Sequence, residues 1–205
     1  MFPTGELQFG IDVSEHQDGL SLVQAAAEGV EFVVVRTTDG TYRDRTYTSH
    51  VEDALRAGLP VEAYHYLRNP SEGTTVAEQV EAACAVMGDL VVPVWIDCET
   101  PAGLALSHVR EARVLFTARG VPVAGVYTYP RYWRWRMLGA ATAEFGAVWV
   151  ADYGADPAGQ PRELHDGRAW PGEVGKQTPL TWQYGSRGLV AGYEVDVDVR
   201  RVIST

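Results

Sequence analysis

Two acidic residues at the end of an apolar run are the groups in this sequence best placed to do chemistry. The run covers residues 91–100, VVPVWIDCET, and turn-forming residues bound it on both sides, which predicts a buried strand. On a strand, Asp97 and Glu99 would face the same way, with their Cα atoms about 7 Å apart, and Cys98 would face the other way. Two close carboxyl groups oppose each other's ionisation, and burial raises the pKa of at least one of them. Such a pair could hold the proton that a general acid delivers to a glycosidic oxygen.

A structural role fits the same spacing. Both acids could cap the helix that follows, or could simply face solvent at a strand end. The surrounding chain has to distinguish these interpretations.

Strands and helices alternate through most of the chain. Apolar segments predict strands at 9–14, 32–36, 61–66, 91–100 and 122–127. Helices are predicted between and after them, at about 21–29, 47–57, 75–87, 107–120 and 131–138. The continuous apolar character of residues 32–36 is typical of a parallel strand that is buried on both faces.

This alternation changes after residue 146. A sixth strand is predicted at 147–151, followed by a long polar loop at 152–179 without helical periodicity. Residues 181–184 and 193–198 predict an antiparallel hairpin that turns at Ser186-Arg187-Gly188. Five strand–helix repeats followed by strands without helices indicate a single α/β barrel, irregular on its closing side, over residues 1–205.

Polar and aromatic side chains fall at the ends of the predicted strands. Barrel enzymes place their chemistry at the C-terminal ends of parallel strands, so these residues should share one rim. Each could alone be a turn cap, a surface ion pair or a core aromatic. Together they suit a neutral, hydroxyl-rich ligand, because aromatic faces stack on sugar rings. They are Asp12, Arg36, Tyr64, Tyr66, Asp97, Glu99, Tyr127, Trp149 and Trp182.

Composition limits the possible partners. The 205 residues are 46% hydrophobic and 21% charged, an ordinary globular mixture. A formal net charge of −10 argues against binding to nucleic acid or to an anionic membrane. No apolar run approaches the roughly 20 residues of a membrane span. Residues 1–6 lack the basic start and apolar centre of a signal peptide, so we expect no leader.

Neither a disulfide framework nor a metal site is predicted. Cys84 and Cys98 are too few for a framework in a domain of this size, and two buried thiols are expected, although a bridge between them is conceivable. The five histidines are scattered without partners at ligand spacing. We therefore expect no metal and no cofactor.

Eight segments resemble the glycoside hydrolase family 25 muramidases, the Chalaropsis-type lysozymes that are common among phage endolysins and bacterial autolysins. They occur in the family's order and cover nearly the whole chain. The segments are GIDVS at 10–14 with Gln17, FVVVR at 32–36 with Gly40, AYHY at 63–66, IDCE at 96–99, GVY at 125–127, WVADY at 149–153, WQYGS at 182–186 and VDVD at 195–198. The resemblance implies a flattened TIM-like (β/α)5(β)3 barrel. It also implies hydrolysis of the β-1,4 bond between N-acetylmuramic acid and N-acetylglucosamine in peptidoglycan.

The resemblance also implies residue roles. Glu99 would be the general acid, and Asp97 would either assist the substrate's N-acetyl group or act as the second carboxylate. Asp12 and Asp196 would be further acids of the cleft, and Asp198 stands where the family pattern leads us to expect an asparagine. The aromatic residues at the strand ends would contact sugar: Tyr64, Tyr66, Tyr127, Trp149 and Trp182, together with Arg36.

Two other functions share these features. One is a catalytically silent peptidoglycan-binding module, which the Asp97/Glu99 pair disfavours. The other is a hydrolase of a related N-acetylhexosamine polymer such as chitin. For the muramidase we expect peptidoglycan glycan strands as the partner, action on the bacterial cell wall and a monomeric state. We further expect a phage-encoded origin or a place within a larger modular lysin or secreted protein.

Overall fold

Eight strands close into a barrel in the computed structural model, which describes residues 6–202. The strands run in the order β1-β9-β8-β7-β6-β5-β4-β2, and a parallel pairing of β1 with β2 closes the ring. A ninth, two-residue strand, β3, pairs with the end of β2 outside the ring. The strands are β1 (Leu7–Val13), β2 (Phe32–Asp39), β3 (Tyr42–Arg43), β4 (Val61–Tyr66), β5 (Val94–Asp97), β6 (Val123–Thr128), β7 (Ala147–Ala151), β8 (Thr181–Val190) and β9 (Tyr193–Arg201).

Helices follow the first five strands of the ring. Strands β1, β2, β4, β5 and β6 are each followed by one, and β7, β8 and β9 complete the barrel, with β9 antiparallel to both of its neighbours. The α-helices are α1 (Leu22–Ala27), α2 (Tyr47–Arg56), α3 (Val76–Met87), α4 (Leu106–Ala118), α5 (Pro130–Arg136) and α6 (Pro161–His165), and 3-10 turns occupy Glu15–Gln17, Pro70–Glu72 and Ala143–Phe145. This arrangement confirms the expected (β/α)5(β)3 barrel.

Local signals explain where the helices start. The Ser21 hydroxyl accepts a hydrogen bond from the Gln24 amide at 3.2 Å and begins α1. At α3, Thr75 and Glu78 form a reciprocal capping box. Each cap satisfies amide groups that have no partner inside the helix.

Alternation along the strands separates two apolar layers. Outward-facing residues such as Val33, Ile96 and Val148 pack with the helices into the main core. A smaller inner cluster fills the barrel with Phe32, Val34, Trp95, Tyr127 and Trp149. The barrel is therefore packed with side chains below its rim.

Close packing inside the barrel requires a glycine at position 10. A Cβ atom there would lie 2.5 Å from the Phe32 ring, much closer than van der Waals contact. Below this ring, Arg200 stacks at 4.1 Å and donates to Glu62, which also accepts from the Trp95 indole. These groups close the end of the barrel opposite the candidate rim.

The central strand is shorter than predicted. β5 covers Val94–Asp97 rather than residues 91–100, because Pro93 lacks a backbone donor and Val91 is 46% exposed. Glu99 therefore lies beyond the strand. The Cys98 amide still donates to the Tyr127 carbonyl at 2.8 Å, so the backbone continues to follow β6 for one more residue.

The closing hairpin and the long loop also differ from the predictions. The hairpin turns at Ala191-Gly192, whose φ angles of +48° and +82° suit a two-residue turn, and not at 186–188. Ser186-Arg187-Gly188 instead lies inside β8, where the register with β9 shifts. The loop at 152–179 contains the short helix α6. Both cysteines are free thiols. The leader prediction rests on residues 1–6, of which 1–5 lie outside the described residues.

Candidate active site

A cavity of about 290 Å³ opens at the C-terminal ends of the parallel strands. All eight strands of the ring, or the loops directly after them, contribute a side chain to it. Its lining residues are Asp12, Arg36, Asp39, Tyr64, Tyr66, Arg68, Asp97, Glu99, Tyr127, Trp149, Tyr153, Gln183 and Asp196. The cavity thus brings together nine of the ten predicted site residues.

Asp97 and Glu99 line this cavity together, and Cys98 between them is buried in the main core. Asp97 is 3% exposed, and its Oδ1 atom has no hydrogen-bond partner in the part of the chain that the structure describes. Burial, and next the charge of Glu99, raise the pKa of Asp97 well above its ordinary value. Burial also raises the pKa of Glu99. The pair is therefore built to retain a proton.

Glu99 also borders a second, more open space of about 560 Å³, here called the outer groove. The two spaces share Glu99, Tyr127 and Tyr153. The outer groove is lined by Glu99, Tyr127, Tyr129, Pro130, Arg131, Ala151, Asp152 and Tyr153. A chain molecule crossing from the cavity into the groove would pass the Glu99 carboxyl group.

Gln183 connects Asp12 with two tyrosines. Its side-chain Nε2 donates to Asp12 Oδ2 at 2.5 Å, and its Oε1 accepts from the hydroxyls of Tyr127 at 2.7 Å and Tyr153 at 2.6 Å. Burial is the largest cause that raises the pKa of Asp12, followed by the charge of Asp198, whereas the Gln183 hydrogen bond lowers it. Gln183 thus fixes the orientation of three groups in the cavity wall.

Asp196 and Asp198 occupy different levels of the barrel. Asp196 lies opposite Asp12 in the strand register and lines the cavity, and burial, followed by the charge of Asp12, raises its pKa to about 9. Asp198 is completely buried and accepts a hydrogen bond from the Trp149 indole at 2.7 Å. The structure therefore brings Asp196, and not Asp198, to the cavity surface.

The arginines of the cavity are paired with acids. Arg36 donates to Asp44 at 2.8 Å and to Glu15 at 3.1 Å. Arg68 donates to Asp39 at 2.5 Å and stacks on the Tyr66 ring at 4.7 Å. These pairs hold the rim together and leave the carboxyl groups deeper in the cavity without basic partners.

The model of the family described as "Glycosyl hydrolases family 25" matches residues 11–193. The chain belongs to this family. Among curated proteins, it is 31% identical over 150 residues to an autolytic lysozyme of Clostridium acetobutylicum, which covers 71% of the chain and 45% of that protein. It is 27% identical over 208 residues to lysozyme M1 of Streptomyces globisporus, which covers 92% of the chain and 65% of that protein. The chain thus spans about half to two thirds of the length of these relatives.

Solved structures of two lysozymes share the barrel. A lysozyme from Streptomyces coelicolor aligns with a TM-score of 0.76 at 23% identity, covering 100% of this chain and 95% of that one. A family 25 lysozyme from Aspergillus fumigatus aligns with a TM-score of 0.71 at 20% identity, covering 97% and 95%. At these identities the likeness shows a common fold.

Trp182 is the one predicted site residue that does not line the cavity, and the structure places it in the main core instead. Its ring packs there against His165, Trp170 and Tyr184, and its indole N–H donates to the Asp152 carbonyl at 2.9 Å. The reason is the alternation of side chains along β8, which turns Gln183 inward and both of its neighbours outward.

Sequence reasoning did not select four residues of the cavity: Asp39, Arg68, Tyr153 and Gln183. Asp39 was missed because β2 extends beyond the predicted end at Arg36. Tyr153 and Gln183 stand inside the family-like segments WVADY and WQYGS, which offered a usable signal.

Within residues 6–202, no group of three or more His, Cys, Asp or Glu side chains is placed to hold a metal ion. No helix in the same range is long and apolar enough to cross a membrane.

Proposed function

We propose that this chain is a peptidoglycan muramidase that hydrolyses the β-1,4 bond between N-acetylmuramic acid and N-acetylglucosamine. The observation that carries the proposal is the position of Glu99. This acid stands between the acidic cavity and the more open outer groove, with a raised pKa and with Asp97 beside it. Membership of family 25 and two curated relatives named lysozymes support it.

Glu99 acts as the general acid in this proposal. A glycosidic oxygen that leaves with the outer-groove sugar would lie beside its carboxyl group. Because burial disfavours the ionised form, Glu99 retains a proton at a higher pH than a solvated glutamate does. Proton transfer to the leaving oxygen as the bond breaks avoids the formation of a free alkoxide.

Asp97 lies on the cavity side of the bond. Two routes are open to it: it can orient and stabilise the substrate's N-acetyl group as an internal nucleophile, or it can act directly as a second carboxylate. Its Oδ1 has no partner among the described residues, which leaves this atom available to the substrate. Both routes use Asp97 in its ionised form, with the proton of the pair on Glu99, and so place negative charge where positive charge develops on the sugar.

The other lining residues bind the cavity sugar. Asp12 and Asp196 supply polar contacts, and the rings of Tyr64, Tyr66, Tyr127 and Trp149 supply apolar walls. Arg36 contributes its guanidinium edge while it remains fixed by Asp44. The raised pKa values of the buried acids keep the cavity's negative charge low, which suits an uncharged sugar ring.

Product analysis tests the proposal. Purified peptidoglycan is digested, the soluble fragments are reduced with borohydride, and the reduced ends are identified by mass spectrometry. A muramidase yields reduced N-acetylmuramic acid at the new ends. Reduced N-acetylglucosamine would indicate a glucosaminidase and overturn the assignment. Binding without fragment release would indicate a silent module, and faster cleavage of chitin would indicate the related hydrolase.

Gln183 is a positioning residue in this mechanism, and we expect Gln183→Leu to lower kcat/KM about 10- to 100-fold, corresponding to ~1–3 kcal/mol for a lost buried hydrogen bond. Asp12 and both tyrosine hydroxyls would lose their shared partner. Because the Gln183 hydrogen bond lowers the pKa of Asp12, its removal should also move the corresponding limb of the pH profile to higher pH.

The control for Gln183→Leu is Gln24→Leu, which makes the same change on the exposed face of α1. The measurement is the pH dependence of kcat/KM on soluble glycan oligomers, together with the melting temperature. Gln183 would be only a structural residue if the pH profile of kcat/KM did not shift and the loss of kcat/KM were explained by a lower melting temperature alone.

We further propose that residues 1–205 form one catalytic domain that acts on the cell wall as a monomer and belongs to a larger lysin. The greater length of both curated relatives supports the last point. Phage origin remains a prediction. Size-exclusion chromatography with light scattering tests the monomeric state.

A further inference from the structure

The helix α5 carries an arginine-rich surface that the proposed mechanism does not use. Arg131, Arg134, Trp135 and Arg136 are all exposed on it, and Trp135 is 67% exposed. None of these three arginines forms a salt bridge with the residues at 6–202, whereas most other arginines of the chain are paired with acids. In a protein with a net charge of −10, unpaired basic groups on one short helix are a local exception.

This surface is continuous with the active site. The outer groove begins at Glu99 and includes Arg131. A further depression of about 370 Å³ shares Tyr129 and Arg131 with the groove and continues to Trp135 and Arg136. One path therefore leads from the proton donor, past Tyr129, to the arginines of α5.

The path lies on the leaving-group side of the bond. The cavity at the strand ends holds Asp97, Asp12 and Asp196, the acids that act on the sugar at which cleavage occurs. Glu99 protonates the oxygen between that sugar and the next one, so the next sugar lies in the outer groove. In peptidoglycan this next sugar is N-acetylglucosamine, and the one after it is an N-acetylmuramic acid whose lactyl group bears an acidic peptide.

We propose that Arg131, supported by the arginine surface of α5, binds the acidic stem peptide of the muramic acid on the leaving side of the cleaved bond. This inference rests on the proposed muramidase function. A guanidinium group recognises a carboxylate through paired charge-assisted hydrogen bonds. The exposed Trp135 ring and the Tyr129 ring supply apolar contact along the same path.

Arg131 has no ion-pair partner among the described residues around it. Asp152 also lines the outer groove, but it makes no ion pair with Arg131 within 4 Å in the described structure. Arg134 stacks over Trp135 at 5.6 Å, and Arg136 donates to the Pro101 carbonyl at 3.3 Å. Arg131 is therefore an arginine that shares the outer groove with Glu99 and remains available to an incoming carboxylate.

The test compares Arg131→Gln with wild type on two soluble substrates prepared from the same wall and freed of teichoic acid. One consists of glycan oligomers with intact stem peptides. The other consists of the same oligomers after an amidase has removed the peptides and the lactyl carboxyl groups left behind have been converted to methyl amides. The control is Arg113→Gln, which removes an exposed arginine of α4 that does not line the groove.

We expect Arg131→Gln to lower kcat/KM on the peptide-bearing oligomers about three- to tenfold, as for one partly solvated ion pair, and to leave the stripped oligomers within twofold. The loss should shrink as salt is added, and Arg113→Gln should leave both rates unchanged. Equal losses on both substrates, or no loss on either, would overturn the proposal. If the wild type released no muramic acid ends from either substrate, the muramidase function itself would fail, which is a separate result.

Discussion

Glu99→Gln is expected to lower kcat on peptidoglycan oligomers by about 10²- to 10⁴-fold, the range that general acid catalysis contributes. Glutamine has the size of glutamate and is neutral like the protonated acid, so the substitution removes the transferable proton and little else. Glu99 borders both the cavity and the outer groove. Because glutamine keeps the size and neutrality of the protonated acid there, substrate binding should change much less than kcat. The measurement is the rate of reducing-end release at saturating substrate.

A leaving group that needs no proton provides the specific check on Glu99. An aryl glycoside that releases a stable phenolate should be cleaved by Glu99→Gln at a rate close to that of the wild type. The control is Glu52→Gln, the same change at an exposed site on α2. If Glu99→Gln lowered the rate of aryl glycoside cleavage as much as the rate of peptidoglycan cleavage, Glu99 would act in some other way than as the general acid.

Asp198→Asn is expected to stabilise the folded protein by about 1–3 kcal/mol at neutral pH, because burial keeps Asp198 protonated in the folded protein whereas an unfolded aspartate ionises at that pH. Asp198 is fully buried, and its Oδ2 has no hydrogen-bond partner among the described residues. An asparagine would keep an oxygen for the Trp149 indole and would replace the other oxygen with a donor near the Asp12 side chain. The expected gain is about 2–4 °C in melting temperature per kcal/mol.

The gain should depend on pH in a defined direction. Burial is the main cause that raises the pKa of Asp198 in the folded protein, whereas an unfolded aspartate titrates near about 3.9. Between these two pKa values the folded protein holds a proton that the unfolded chain has released. The stability that Asp198 contributes is therefore complete below about pH 3.9 and falls as the pH rises through the folded pKa.

The melting temperatures of wild type and Asp198→Asn should thus be close at pH 4 and should diverge toward pH 8, with the variant more stable. Asp89→Asn, an exposed aspartate after α3, serves as the matched control and should show no such divergence. A variant less stable than wild type at pH 8 would mean that the ionised Asp198 is stabilised by its surroundings, contrary to its raised pKa.

Local patterns were sufficient for much of the fold. Alternating strand and helix signals, with caps such as Ser21, predict five βα units, and the Asp97-x-Glu99 spacing predicts a pair of acids on one side of the chain. The βα units and the acid pair can be predicted from the sequence because the periodicity of helices and strands and the capping of helices depend on residues only a few positions apart. Family-like segments then linked the pair to glycosidic cleavage.

Other features depended on the closed barrel. Residues Trp182, Gln183 and Tyr184 of β8 are all buried, so the segment shows no hydrophobic contrast that would tell which face points inward. The hairpin turn at Ala191-Gly192 was likewise not predictable from short-range patterns. Gly185, Gly188 and the register shifts at these glycines let β8 continue through residues 186–188, where the turn was predicted.

The sequence by itself determined the order of the elements and the chemical groups present, since these depend on short-range periodicity and residue type. Only the tertiary structure decided that Gln183 faces Asp12, that Asp198 lies beneath the cavity, and that Glu99 borders both the cavity and the more open outer groove. These relations join residues far apart in the chain. They are set by the register with which eight strands close into a ring, and short-range patterns do not specify that register.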